Sequence, residues 1–239
     1  MTSADTAGTA AAAPRARVRP AFVIAVASHQ GGVGKTTLAQ GLAAVTADSS
    51  GRALVVDIDP QGSADEIADA AGDNLPFDFG TELHPGRLAA LRTATDYDTV
   101  IVDCPGSLEG GDVLSGVLAA ADLVIIPVVP ERAAITPTFR TAQLAADAGV
   151  PYRVVLNLVD PLRGAGPVES MWQALDRRGV PRMRSVIRRY VAHSQSQLNG
   201  EMITQYRGDA SWRKALDDMR RFHAELLLLL GRIDSERRP

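Results

Sequence analysis

The feature that most constrains this fold is an apolar run that empties into a glycine loop. Phe22-Val23-Ile24-Ala25-Val26-Ala27 is continuous and apolar, the pattern of a strand buried on both faces. Within a few residues it reaches Gly31-Gly32-Val33-Gly34-Lys35-Thr36-Thr37, and Thr36 to Ala47 then reads as a helix. Glycines at 31, 32 and 34 let successive backbone N–H groups turn inward around a phosphate with no Cβ in the way. The helix that follows adds the positive end of its dipole. Lys35 is expected to reach β- and γ-phosphates and the Thr36 hydroxyl to coordinate Mg²⁺, with Val33 and Thr37 completing the cradle.

The rest of the chain alternates in the same way. Apolar strand patterns recur at 53–57, 99–103, 122–126 and 152–158, with a short one near 185–187. Helix-like stretches fall near 62–71, 87–93, 135–148, 168–178 and 209–230, and residues 74–85 read as a Gly/Pro/Asp-bearing loop. Strands alternating with helices imply an α/β fold, a mostly parallel twisted sheet flanked by helices on both faces. A length of 239 residues suits one such domain, here 21–239, behind an arm over residues 1–20 that reads as disordered. A single cysteine, Cys104, rules out an intrachain disulfide framework and suits a reducing cytoplasm. No apolar run is long enough to span a bilayer, and residues 1–13 lack a signal-peptide core.

The net charge of −3 hides an asymmetry. From Arg177 to Pro239 there are 14 Lys and Arg against 7 Asp and Glu, so the preceding residues are strongly acidic. Such a split suggests one face addressing a polyanion. Only two lysines occur, Lys35 and Lys214, so a chain that otherwise uses arginine keeps a compact point charge inside its glycine loop.

Position 29, where an ordinary Walker A loop requires glycine, is His29. The segment Gln30 to Thr37 instead resembles the deviant Walker A loop of the ParA/MinD family, K-G-G-x-G-K-[ST]-[ST]. Two further segments carry the likeness, Asp57-Ile58-Asp59-Pro60-Gln61-Gly62-Ser63 after the second strand and Val102-Asp103-Cys104-Pro105-Gly106 at the end of the third. Their order and spacing match from about residue 21 to 231. The resemblance implies a P-loop ATPase that takes ATP and Mg²⁺. It assigns Asp59 to positioning the attacking water, beside Lys35 as the other catalytic group. It puts Thr36, Asp57 and Asp103 around Mg²⁺. Taken alone, each aspartate also suits a turn or helix cap. Asn157, in a segment like the family's N-x-x-D, is implied to read the adenine edge. Arg188 stands where the family's I-P-R element has proline.

Gln30 is the departure. The family's lysine at that place reaches across an ATP-sandwich homodimer to the partner's nucleotide. A neutral amide cannot neutralise charge developing at the phosphates, so hydrolysis is expected to be slow unless Arg132 or Arg140 substitutes. The basic C-terminal third implies non-specific DNA binding by the ATP-bound dimer. The candidates are Arg182, Arg184, Arg188 and Arg189, then Arg213, Lys214, Arg220 and Arg221 on the last helix. The resemblance therefore implies a ParA-type partition protein of the cytoplasm and nucleoid, released from DNA by a ParB-like adaptor. Alternatives are a ParA-like positioner of a protein cargo and a MinD-like membrane switch. The leucine run 226–230 is expected to pack in the core, since five consecutive leucines lie all around a helix and suit a membrane surface poorly.

Overall fold

The computed structural model describes residues 20–59, 70–82, 84–106 and 111–236. The expected arm, the helix near 62–71 up to residue 69, and Pro60 to Ser63 of the aspartate-rich segment lie outside these residues.

In chain order the first half comprises β1 (Phe22–Val26), α1 (Lys35–Asp48), β2 (Ala53–Asp57), β3 (Asp78–Thr81), α2 (Pro85–Leu88), β4 (Thr99–Asp103) and α3 (Gly111–Ala120). The second half comprises β5 (Leu123–Val128), α4 (Ile135–Asp147), β6 (Tyr152–Val159), α5 (Gly166–Asp176), β7 (Arg182–Arg188), α6 (Val191–Leu198) and α7 (Trp212–Glu236). The strands form one sheet in the order β3-β2-β4-β1-β5-β6-β7, and every pairing is parallel.

Side chains alternate across this sheet with the two-residue period of a strand. Ile24, Val26, Val55, Ile101, Ile125 and Val155 go to the face covered by α1, α6 and α7. Val23, Ala25, Val100, Val102, Val124 and Ile126 go to the face covered by α3, α4 and α5. Both faces being dry, the central strands need no polar positions, which is why they read as unbroken apolar runs. The long helix α7 buries Ala215, Leu216, Met219, Phe222, Leu226, Leu230 and Ile233, a stripe at three- and four-residue spacing.

The sheet differs from expectation at its edges. β3 lies inside the stretch read as loop, and β7 runs from 182 to 188 where only a short strand was expected near 185–187. Both are edge strands with polar side chains, so neither carries a buried-strand pattern. α3 and α6 have no counterpart among the helix-like stretches of the sequence, and α7 starts and ends later than 209–230. The leucine run splits: Leu226 and Leu230 are buried, whereas Leu227 and Leu228 are exposed. Packing claims only the positions that face the sheet.

The outer edge of β7 is closed by α7. Glu225 accepts the backbone N–H groups of Arg184 and Ser185 at 2.7 and 2.8 Å, and Asp218 accepts that of Arg188 at 3.0 Å. Two carboxylates seven residues apart on a helix thus take the place of a neighbouring strand, and the edge offers fewer free donors for pairing with another chain.

Candidate nucleotide site

The site is assembled at the C-terminal ends of the central strands. In register, Val26 of β1 pairs with Asp103 of β4, and Asp103 pairs with Asp57 of β2. The turn out of β1 therefore leaves the sheet beside two carboxylates. Gly32 and Gly34 both adopt positive φ, 70° and 78°, and Gly34 caps α1 in the left-handed conformation. That geometry costs a residue with a Cβ but not glycine. Lys35 is buried at 8% exposure, and a Cβ at Gly106 would lie 3.8 Å from its Nζ. A second glycine-lined wall thus stands opposite the loop.

Asp57 is fully buried, and its Oδ1 accepts the backbone N–H of Asp59 at 2.8 Å. It makes the turn at the strand end and at the same time places its charge beside Asp103. Asp103 is 2% exposed, and among the described residues its Oδ1 has no hydrogen-bond partner. Burial pushes its pKa up to about 7; the Thr36 hydroxyl opposes this, the charge of Asp57 adds to it, and Lys35 and Asp59 act more weakly. The structure thus brings Lys35, Thr36, Asp57, Asp59 and Asp103 into one electrostatic neighbourhood.

An orphaned, buried carboxylate oxygen beside a threonine hydroxyl fits a hard divalent cation. Thr36 and Asp103 are the residues that would hold Mg²⁺, with Asp57 behind them. Bound there, the ion would supply positive charge to the phosphate oxygens. Among the described residues no three or more His, Cys, Asp or Glu form a closed metal cage.

Asn157, which the resemblance implies reads the adenine edge, lies against the phosphate loop. It is 2% exposed, and its Nδ2 donates to the Val33 carbonyl at 2.7 Å and more weakly to that of Gly34. A Cβ on Gly34 would stand 2.7 Å from the same nitrogen. Through its nitrogen the amide holds the loop. A register shift in β6 between Leu156 and Val159, with Leu158 at φ 52°, turns it there. Neither the irregularity nor the loop contact has a signature in the sequence.

His29 is tied to α4: its backbone N–H donates to the Thr141 hydroxyl at 3.0 Å, and its Nδ1 lies 3.0 Å from the same oxygen. Gln30 is half-buried, its backbone N–H donates to Ser28 Oγ, and its Oε1 has no partner. Arg132 and Arg140 are both exposed.

The proposed DNA-contacting residues cluster on β7, the loop after it, and α7, but most are already neutralised. Arg188 pairs with Asp218 at 2.5 Å, Arg189 with Asp160 at 3.8 Å, Arg220 with Asp48 at 2.7 Å and Arg221 with Asp217 at 2.7 Å. Arg182 pairs with Asp176 and lies over the Trp172 ring. Among the described residues Arg184, Arg213 and Lys214 have no ion pair, and Arg213 lies over Trp212. The formal excess of positive charge in this third of the chain overstates what the surface offers a polyanion, because acidic residues from earlier in the chain fold against it.

A glycine loop between β1 and α1, beside strand-end carboxylates in a parallel sheet, defines a P-loop nucleotide-binding domain. The CobQ/CobB/MinD/ParA nucleotide binding domain model (CbiA) matches residues 24–233, and the chain belongs to that family. The ParA and MinD members of the family are ATPases. The chain is 39% identical over 205 residues to the maintenance of carboxysome distribution protein A of Gloeobacter kilaueensis, covering 85% of this chain and 93% of that one. Its identity to the protein of the same name from Halothiobacillus neapolitanus is 27% over 216 residues, covering 87% and 97%. The chromosome partitioning protein ParA of Myxococcus xanthus is 33% identical over 154 residues, covering 47% of this chain and 54% of that protein. Among solved structures, MinD complexed with Mg-ADP from Pyrococcus horikoshii superposes with a TM-score of 0.67 at 19% identity, covering 89% and 98%. This last likeness is one of fold. Likeness along the whole length is thus to distribution proteins, while the partition protein aligns over about half, which reverses the order of the two readings drawn from sequence. No helix among the described residues is long and apolar enough to cross a membrane.

Proposed function

We propose that this chain is an ATP-driven positioner of a large protein cargo, of the carboxysome-distribution kind, working from the nucleoid in the cytoplasm. The observation that carries the reading is the 39% identity to a carboxysome-distribution protein over nearly the whole of both chains. Mg²⁺-ATP binds at Gly31 to Thr37, with Lys35 and Thr36 on the phosphates and the metal, and Asp103 beside the metal. Asp59 orients the attacking water. The nucleotide-bound form dimerises, holds DNA without sequence preference through basic residues of β7 and α7, and is released when an adaptor carried by the cargo stimulates hydrolysis. Gln30, being neutral, leaves basal turnover slow; loss of one charged transition-state contact commonly costs about 10²–10³-fold in rate.

Deleting the gene and imaging both nucleoids and cargo in the host separates this from chromosome partition. The expected result is clustered cargo in cells with normal nucleoid number. Evenly spaced cargo together with anucleate cells would reverse the reading. An ATP titration of DNA retention at low and raised salt tests the switch itself, since binding that ignores nucleotide contradicts it.

A further inference from the structure

Beside the phosphate loop, α1, α6 and the segment after α6 enclose a small cleft. Thr37 and Gln40 line it from α1, His193, Ser196 and Gln197 from α6, and Glu201 from the segment that follows, with Met202 and Ile203 as apolar wall. Its interior has room for about one water molecule. Gln197 donates its side-chain N–H to the Thr37 hydroxyl at 3.3 Å. Gln40 is 2% exposed, yet neither its amide oxygen nor its amide nitrogen has a partner. His193 Nε2 is buried in the same cleft and equally without a partner. Burial holds the pKa of His193 below the usual imidazole value, so the ring is neutral at pH 7. A single water, which both donates and accepts, can bridge the neutral imidazole nitrogen and one end of the Gln40 amide across that space.

We propose that Gln197 is a positioning residue for the phosphate cradle, and that one ordered water shared by Gln40 and His193 holds its helix in place. A threonine hydroxyl has one proton and two lone pairs. A donor from α6 on one lone pair leaves the proton of Thr37 to point elsewhere, toward the loop, where a phosphate oxygen accepts it. The neighbouring Thr36 is left to the metal. α6 is fixed on its inner side, where Ala192 and Ser196 are buried. Thr37 and Gln197 lie 160 positions apart in the chain, so displacement of α6 reaches the loop through one hydrogen bond. The inference rests on the nucleotide-site reading above.

The test is a fluorescent-ATP titration of the full chain with Mg²⁺, each variant's melting temperature being recorded alongside. Gln197→Ala is expected to weaken binding by up to about tenfold, the scale of one neutral hydrogen bond. Thr37→Val should weaken it at least as much, and the double variant no further than Thr37→Val, since Gln197 acts only through that hydroxyl. Charge and direction supply the control that a merely structural role would not meet. Gln197→Lys keeps a donor and should restore affinity, whereas Gln197→Glu accepts the Thr37 proton, draws it away from the phosphate and should not. Additive losses in the double variant, or full affinity in Gln197→Glu, overturn the positioning role while leaving the nucleotide site standing. Wild-type protein that binds no nucleotide overturns both. For the water, a high-resolution crystal structure is expected to show density between Gln40 and His193; an empty cleft removes that part of the proposal.

Discussion

At the C-terminal ends of β2 and β4, Asp57 and Asp103 sit buried side by side, and Asp103 keeps one oxygen without a partner. Along β7 and α7 the charges are more numerous and more exposed, but Arg188, Arg220 and Arg221 each meet a carboxylate within 3 Å. The first region holds charge in an unfinished state, at a cost in stability that a cation would repay. The second finishes its own charges and uses them to shut the sheet edge. An unneutralised buried charge is therefore the better guide to function here than a count of basic residues, because pairing is a property of the fold and not of composition.

The largest effect is expected where the loop itself is broken. Gly34→Ala puts a Cβ 2.7 Å from Asn157 Nδ2 at a φ of 78°. Left-handed geometry costs a non-glycine residue roughly 1–2 kcal/mol before the clash is counted. Nucleotide affinity should fall by well over tenfold, with a melting temperature lower by several degrees. Calorimetric titration and thermal melts read the two separately. Unchanged affinity would mean that the loop does not grip phosphate in this conformation.

Asp218→Ala attacks the other region. Asp218 is 2% exposed, accepts the N–H of Arg188 and pairs with its guanidinium, which holds the Arg188 pKa above its ordinary value. Removing it leaves a half-buried guanidinium and an edge N–H unanswered, at about 2–3 kcal/mol. Urea unfolding measures this, and Arg188→Met in the same background should recover part of the loss. A change below about 0.5 kcal/mol would show the clamp to be incidental.

How much of this was readable in sequence follows from the same contrast. The central strands, the glycine loop and the strand-end aspartates were legible because each is a local pattern imposed by burial or by backbone geometry. β3 and α6 were not, and β7 only in its middle, since polar edge elements owe their form to what lies beside them. Asn157 shows the limit within the site: its type and place on β6 were evident, but the irregular register that aims its amide at Val33 depends on pairing with β7. The ion pairs of Arg220 with Asp48 and Arg189 with Asp160 join distant segments, and no window of sequence contains them.

The two regions should also respond oppositely to pH. Burial lowers the pKa of His193 and of His223, whose Nε2 lies 3.3 Å from the Thr46 hydroxyl. Groups depressed below their unfolded value of 6.5 contribute stability fully present above that pH and lost as pH falls through it. Asp103 has the opposite sign: raised from 3.8 to about 7, its contribution is full below pH 3.8 and is lost as pH rises through 7 in the absence of a cation. Between pH 3.8 and 7 the two contributions therefore run against each other in the metal-free protein. Asp103→Asn should remove the component that falls as pH rises, and His223→Gln part of the component that grows, both measured by urea unfolding across pH 5 to 8. A profile in which Asp103→Asn leaves the falling component untouched would contradict the assignment.

The smallest expected change in stability, and the finest probe of the edge, is Asp217→Asn. Its pair with Arg221 at 2.7 Å is exposed on both sides, 67% for the arginine and 53% for the aspartate, and joins residues four apart on α7. Such surface pairs contribute about 0.3–0.5 kcal/mol, so melting should barely move. What should move is polyanion retention. Freeing one guanidinium from its carboxylate adds one potential phosphate contact, and each such contact steepens the dependence of log K on log salt by about 0.9 for duplex DNA. If self-neutralisation is what limits this face, Asp217→Asn binds duplex DNA more tightly than wild type at low salt and loses the advantage as salt rises. Arg221→Gln should then bind no more weakly than wild type, its charge having been cancelled already. A large loss in Arg221→Gln would instead place Arg221 directly on the phosphates, the carboxylate giving way when DNA arrives.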